Sequence, residues 1–232
     1  MDRLRVLNKG YVRLVDSMGS DLTIVNSARV SYDKQKSEMD GKDERLIDFL
    51  IREGHTSPLR HASMQFEIYA PLMVARQWWK YVVGSDHTMD AWNESSRRYI
   101  SEDEQFYIPA PSEWRSKPEN SKQGSGEPVN IELGNGYTRA LENYVSIGED
   151  LYNQALTAGI APEQARLFLP AYGMYVRWYW TASLQSVLHF LDQRLGHDAQ
   201  AEIQDYAIAV DAYAKTKFPA VHAAWAQQEK QA

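Results

Sequence analysis

Hydrophobic residues recur along the chain at two spacings, one typical of helices and one typical of strands. Spacings of three and four residues predict helices at about 21–29, 43–53, 72–83, 136–158, 162–169, 184–195 and 198–218. Alternation of apolar and polar residues predicts half-buried strands at 64–70 and 174–180. Because these strands and helices do not alternate regularly and no internal repeat is seen, the pattern predicts an α+β fold.

A polar segment rich in Gly, Pro and Ser interrupts this pattern at about 112–130. The elements on either side of it are predicted to depend on one another for their packing, so we interpret the segment as a mobile excursion and not as a domain boundary. The 232 residues are 44% hydrophobic and 24% charged, which suits one domain spanning 1–232 with a sizeable core.

Cysteine is absent, which excludes disulfides, thiolate metal sites and cysteine nucleophiles. The six histidines include no pair at i, i+4, and we therefore expect no metal site. No apolar run reaches the roughly 20 residues that cross a bilayer, and the charged start lacks a signal peptide's apolar stretch, so we expect a cytoplasmic protein without a membrane partner. The net charge of −6 does not favour a nucleic-acid polymer, and any phosphate must be bound by local arginines.

Arginine is the residue best suited to bidentate contacts with phosphate or with a carbonyl edge. The candidates for such contacts are Arg76, Arg97, Arg98, Arg166, Arg177 and Arg194, supported by Gln77, Ser95 and Ser96. A charge run such as ESSRR is commonly a solvated face, and the Trp and Tyr clusters are commonly core. There is no dinucleotide-binding fingerprint, Walker loop or serine-hydrolase elbow. The residues by themselves therefore leave two readings, an anion site or an ordinary surface.

Several longer sequence motifs help to choose between an anion site and an ordinary surface. RQWWKYVVGS and WNESSRRY, preceded by GHTSPLRH and followed by FYIP, closely resemble the flavin-dependent thymidylate synthases (the ThyX family). GYVRLVDSMGSDLTIVNSARVSYD, ARLFLP, RWYWT, FLDQR and AQAEIQDYA also resemble that family and occur in its order. The resemblance covers nearly the whole chain outside 112–130 and the last few residues. It implies a ThyX-like single domain with a small sheet, and homotetramers whose active sites are shared between subunits.

The resemblance also implies a reaction. The family converts dUMP to dTMP, with methylenetetrahydrofolate as carbon donor and NADPH as reductant of a bound FAD. The absent cysteine agrees with this, because the folate-only thymidylate synthases activate uracil C5 by adding a cysteine thiolate to C6. A chain without a thiol must activate the pyrimidine by polarising it, which a guanidinium at the carbonyl edge can do.

The family's functional positions can be carried over residue by residue. The resemblance implies that dUMP is held by Gln77, Lys80, Glu94, Ser95, Ser96, Arg97, Arg98, Arg166 and Arg194. It implies that FAD is contacted at Ser57, Lys80, Tyr81, Val82, Glu94, Ser183, Gln185 and His189, with His55 and Ser31 near folate and NADPH. The residues expected to take part in catalysis are Arg194, Ser96 and Glu94.

The chain departs from the family at the flavin site. The usual RHR triplet is Lys80-Tyr81-Val82 here, a common asparagine is Ser183, and extra residues at about 86–91 precede WNESSRRY. We hypothesise that His87 in this insertion replaces the lost flavin contacts; the alternative is a solvated loop without a ligand. The departures also leave open a related enzyme that hydroxymethylates dUMP, or a flavin- or nucleotide-binding protein without catalysis.

Overall fold

A computed structural model describes residues 2–30, 35–84, 91–94, 105–118, 124–196 and 198–229. Its strands are β1 (Leu4–Val6), β2 (Gly10–Met18), β3 (Ser63–Pro71), β4 (Ala91–Glu94) and β5 (Tyr175–Ser183). Its α-helices are α1 (Asp21–Ala28), α2 (Gly41–Arg52), α3 (Leu72–Gly84), α4 (Ile131–Thr157), α5 (Pro162–Ala165), α6 (Leu184–Arg194), α7 (Ala201–Lys217) and α8 (Pro219–Glu229). Short 3-10 helices cover Ser57–His61, Arg166–Phe168 and Ala171–Gly173.

The described strands form one antiparallel sheet in the order β1-β2-β3-β5-β4. The α+β class is therefore confirmed, as are the two predicted strands, β3 and β5, which are longer than expected. The alternation in β2 is broken by a register shift between Leu14 and Asp16, and β4 is a four-residue strand in a polar string. β2 and β4 were missed because neither shows an unbroken apolar alternation in the sequence, and β1 was missed because it has only three residues.

Helices α3, α6 and α7 pack with the sheet around an aromatic core. Trp78 of α3 stacks on Phe190 of α6 with ring centroids 4.3 Å apart, and it meets Trp178 and Trp180 of β5 edge-on. These four side chains are almost completely buried. The central part of the aromatic clusters is therefore core.

Helix α4 begins at Ile131, five residues before the predicted start at 136. The Asn130 side chain caps it by accepting a hydrogen bond from the Leu133 amide at 2.8 Å. Gly134 weakens the helical pattern but is required, because a Cβ there would lie 1.9 Å from the Pro111 carbonyl oxygen. A close backbone approach, invisible in the sequence, explains the error.

Helix α8 was not predicted, because Pro219 was interpreted as the end of the helical region. Proline is well tolerated at the first position of a helix, and here it begins one. The α8 amides of Ala220 and Val221 donate to the buried carboxylate of Asp21 at 3.0 and 3.1 Å. These two hydrogen bonds hold the start of α8 against the start of α1.

The polar segment at about 112–130 is attached to the domain where it is described. The Trp114 indole donates to Thr138 on α4 at 2.9 Å, and Arg115 forms an ion pair with Glu202 on α7. Arg115 also forms a β-bridge with Pro128, which brings together the two described parts of the segment. Within the described part of the chain, no helix combines the length and the apolar character needed to cross a membrane.

Candidate active site

Two helices bring three of the predicted site residues together. Tyr81 lies near the end of α3, and His189 and Arg194 lie on α6. The Cζ atom of Arg194 is 4.0 Å from the centroid of the Tyr81 ring, and the ring centroids of Tyr81 and His189 are 6.1 Å apart. This group, here called the α3–α6 cluster, places a cation on the face of an aromatic ring.

The core contact between the same helices explains this meeting. Trp78 and Tyr81 are three residues apart on α3, and Phe190 and Arg194 are four residues apart on α6. Such spacings put side chains on one face of a helix. Because Trp78 stacks on Phe190 in the core, the helices are held so that Tyr81 and Arg194 meet at the surface.

Arg194 lies in the last turn of α6, where a cation commonly satisfies terminal carbonyl groups. Here the Gln204 side-chain amide does so, donating to the carbonyls of Leu195 at 3.0 Å and Gly196 at 3.2 Å. The Nε atom of Arg194 is buried and has no hydrogen-bond partner among the residues that the structure describes. A buried donor in this state is costly, and an acceptor on a bound ligand would satisfy it.

Gln77 lies on α3 one helical turn before the α3–α6 cluster. It lies four residues before Tyr81, and its Nε2 atom donates to the Gln200 side chain at 2.6 Å. Lys80 is exposed beside it. Val82 belongs to α3, but its side chain is outside the described residues. Of the residues predicted from this helix, Tyr81 therefore lies in the cluster, and Gln77 lies one turn before it.

The start of α6 carries two further predicted flavin contacts. Ser183 is buried and caps the helix, since its hydroxyl accepts a hydrogen bond from the Ser186 amide at 3.2 Å. Ser183 therefore has a structural role as a helix cap, and its flavin contact stays a prediction. The Oε1 atom of Gln185 is buried without a partner in the described part of the chain, so it too is available to a ligand.

His55 and Ser57 line a cavity of about 590 Å³. His55 meets Phe49 edge-on, with ring centroids 5.6 Å apart. The 3-10 helix that carries Ser57 packs against α6, which links this cavity to the helix of Arg194. A volume of this size is typical of a small-molecule site.

Glu94 is the last residue of β4 and pairs with Trp178 of β5. Its neighbour Trp92 stacks on Trp178 with ring centroids 4.7 Å apart. Although the Glu94 side chain is exposed at the edge of the sheet, partial desolvation of the carboxyl raises its pKa, and a hydrogen bond with the Trp92 side chain opposes that shift. The carboxyl is thus easier to protonate than an ordinary glutamate.

The remaining predicted site residues that the structure describes do not lie in the α3–α6 cluster or beside Glu94. Arg166 is exposed, donates to the Glu163 carbonyl at 3.2 Å, and lies on a segment that packs mainly against α4. The predicted residues outside the described ranges are Ser31, His87, Ser95, Ser96, Arg97 and Arg98. Sequence reasoning missed Gln200 and Gln204, whose roles depend on the fold; no local signal marks them.

Comparisons with known proteins identify the family of this chain. A family model described as thymidylate synthase complementing protein matches residues 13–220. The chain belongs to this family. A flavin-dependent thymidylate synthase of Treponema denticola is 38% identical over 232 residues, covering 99% of this chain and 84% of that protein. One from Thermotoga neapolitana is 37% identical over 220 residues, covering 94% of this chain and 91% of that protein.

A solved structure shares the fold. It is a UMP/dUMP methylase, PolB, from Streptomyces cacaoi, bound with 5-Br dUMP. It superposes with a TM-score of 0.82 at 28% sequence identity and covers 97% of each chain. The sequence and structural comparisons therefore point to the same family.

Proposed function

We propose that this chain is a flavin-dependent thymidylate synthase, which methylates C5 of dUMP with methylenetetrahydrofolate as carbon donor and NADPH as reductant of bound FAD. The observation that carries the proposal is the state of Arg194. Its guanidinium lies on the Tyr81 ring, and its buried Nε has no partner among the described residues. The names of the related thymidylate synthases and of the dUMP methylase support the same activity.

Arg194 can activate the pyrimidine in a chain that has no cysteine to do so. When uracil C5 acts as a nucleophile without thiolate addition, negative charge develops on the carbonyl edge of the ring. A guanidinium fixed in position stabilises that charge without reorganising, and one such donor contributes about 10²–10³ in rate. Tyr81 and the capping of the α6 terminus by Gln204 keep Arg194 available for this role.

The residues present fit a flavin. Its ring system offers an N–H donor, which suits the Oε1 of Gln185, a buried atom without a partner among the described residues. His189, on the same helix as Gln185, and Tyr81 supply ring surfaces. Bound FAD would supply the reducing hydride that the chain's own side chains cannot. We propose that Ser57, Lys80 and Ser183 complete the cofactor contacts.

Glu94 fits a site for proton transfer. Because desolvation raises its pKa, the carboxyl can hold a proton closer to neutral pH than an ordinary glutamate. The residues that follow it, Ser95, Ser96, Arg97 and Arg98, would hold the nucleotide. We propose that Glu94 accepts or returns a proton at the bound nucleotide.

Helix α4 supports the expected assembly. Four large side chains on it, spaced three, four or seven residues apart, are between 40% and 58% exposed: Tyr137, Tyr144, Ile147 and Leu151. An apolar stripe at this spacing is typical of a helix packed on another helix. Leu167 and Phe168, next to Arg166, are also exposed. We propose that a second copy of the chain covers this face and that Arg166 completes a neighbouring active site in a tetramer.

The methylase PolB raises UMP as a second candidate substrate, because its name includes both nucleotides. Product analysis by mass spectrometry, with dUMP or UMP and with or without NADPH, distinguishes the candidates. We expect dTMP from dUMP only when both NADPH and methylenetetrahydrofolate are present. A 5-hydroxymethyl product would show the related reaction. Absence of product from a protein that binds neither FAD nor dUMP would overturn the proposal.

A further inference from the structure

Gln200 occupies the N-cap position of helix α7, but its side chain does not cap that helix. The position favours Ser, Thr, Asp or Asn, whose short side chains accept hydrogen bonds from the first amides of a helix. Glutamine is poorly suited to that purpose, and its side chain makes no capping bond here. A residue that departs from a local rule in this way commonly serves a contact elsewhere in the fold.

The contact that Gln200 makes is with Gln77 of α3. The Nε2 atom of Gln77 donates to Oε1 of Gln200 at 2.6 Å and to the carbonyl of Met73 at 3.4 Å. A primary amide has two N–H groups, and these two acceptors engage both. The contacts also fix which way the amide points, because the Met73 carbonyl can only accept a hydrogen bond and must therefore face the nitrogen.

The orientation of this amide determines what Gln77 offers to a ligand. The side chain is half-buried, and no residue in the described part of the chain donates to its Oε1 atom. Because both N–H groups are engaged by the protein, Gln77 can serve a ligand only as an acceptor. An acceptor suits a hydroxyl or a ring N–H of a nucleotide and does not suit an ionised phosphate, which itself only accepts hydrogen bonds.

The position of Gln200 is itself fixed by two contacts of α7. Gln204, one turn further along this helix, donates to the two carbonyls that follow α6 at 3.0 and 3.2 Å, which ties the start of α7 to the end of α6. The ring of the buried Tyr206 meets the Trp78 ring of α3 edge-on, with centroids 6.4 Å apart. Helices α3, α6 and α7 are therefore held together where Gln200 meets Gln77.

We propose that Gln200 is a positioning residue for dUMP binding, which holds Gln77 so that its carbonyl oxygen faces a hydroxyl or a ring N–H of the nucleotide. The inference rests on the proposed function and on the dUMP contact expected of Gln77 from the family resemblance. It does not depend on methyl transfer, so that binding alone can test it. A side chain that is already oriented loses less conformational entropy when the ligand binds, and affinity rises accordingly.

Calorimetric titration of the FAD-loaded protein with dUMP tests the proposal. The variants are Gln200→Met, Gln77→Met and the two combined, since methionine has a similar length but no amide. The control, Gln227→Met, makes the same exchange at an exposed position on α8. We expect about two- to tenfold weaker dUMP binding by Gln200→Met, because one ordering hydrogen bond is lost. In the Gln77→Met background the same exchange should change the affinity less than about twofold, because Gln200 acts through Gln77.

The same titration with 2′,3′-dideoxyuridine 5′-monophosphate identifies the donor on the nucleotide, because this ligand has no sugar hydroxyl. If the effect of Gln200→Met disappears with this ligand, Gln77 accepts from the sugar hydroxyl. If the effect persists, Gln77 accepts from the ring N–H.

Three results would overturn the inference and leave the proposed function intact: wild-type affinity in Gln200→Met, an equal loss in Gln227→Met, or an undiminished effect of Gln200→Met in the Gln77→Met background. A wild-type protein that binds no dUMP would contradict the proposed function, and the inference with it. Thermal unfolding of each variant is measured in parallel. Gln200 is exposed, and Gln200→Ala gives the answer if Gln200→Met does not fold.

Discussion

We predict that Tyr81, which the sequence resemblance matches to a histidine of the family, positions Arg194. The guanidinium is 4.0 Å from the ring centroid, and the arginine is half-buried. A cation–π contact in such a setting contributes about 0.5–2 kcal/mol. If that energy biases Arg194 toward its productive orientation, its loss in Tyr81→Ala should lower kcat about 2- to 30-fold.

The assay is the steady-state conversion of dUMP to dTMP, with KM for dUMP and bound FAD measured for each variant. Tyr81→Phe keeps the ring and should stay within about twofold of the wild type. Trp79→Ala is the matched control, since Trp79 is an aromatic residue on the same helix that is 53% exposed. In a double mutant with Arg194→Ala, loss of Tyr81 should cost little more, because the two side chains act together. Equal kcat in Tyr81→Ala and Tyr81→Phe would refute the positioning role.

Four further predictions concern catalysis, stability and assembly. Arg194→Ala should retain its fold and FAD while turnover falls about 10²–10³-fold; wild-type turnover would contradict its assignment. Asp21→Ala should lower the free energy of unfolding in urea by about 1–3 kcal/mol, because two amides of α8 lose their acceptor, and Asp21→Asn should lower it less. Burial raises the pKa of Glu67, but hydrogen bonds from Tyr11 and Arg13 outweigh it and lower the pKa below its ordinary value of 4.5. The stability advantage of the wild type over Glu67→Gln should therefore be complete above pH 4.5 and shrink on acidification, and a pH-independent difference would contradict this. Ile147→Glu on the exposed α4 stripe should shift the protein to smaller species in sedimentation velocity, and an unchanged distribution would argue against that interface.

The predictions that succeeded rest on local chemistry. The helix predicted at 184–195 was correct, because its capping serine and its apolar face are encoded within a few residues. β3 was recognised by its alternation, although Glu67 on its polar side is buried by pairing with Tyr11 and Arg13. That pairing joins distant parts of the chain, so alternation alone could not show it.

The predictions that failed, and the contacts that were missed, depend on packing between distant segments. Helix α8 follows a proline that could equally end a helix, and only its contact with Asp21 shows that it continues. The resemblance selected Tyr81 and Arg194 separately, but their contact depends on the stacking of Trp78 on Phe190. The sequence thus named residues of the candidate site, and the fold determined which of them meet.

The visible spectrum of the purified protein during turnover tests the central claim most directly. We expect bands of oxidised flavin that bleach when NADPH is added without oxygen. The bands should return, with formation of dTMP, when dUMP and methylenetetrahydrofolate are supplied together. A colourless protein that takes up no FAD, or a flavin that is reduced by NADPH but is not reoxidised when both substrates are added, would contradict the account.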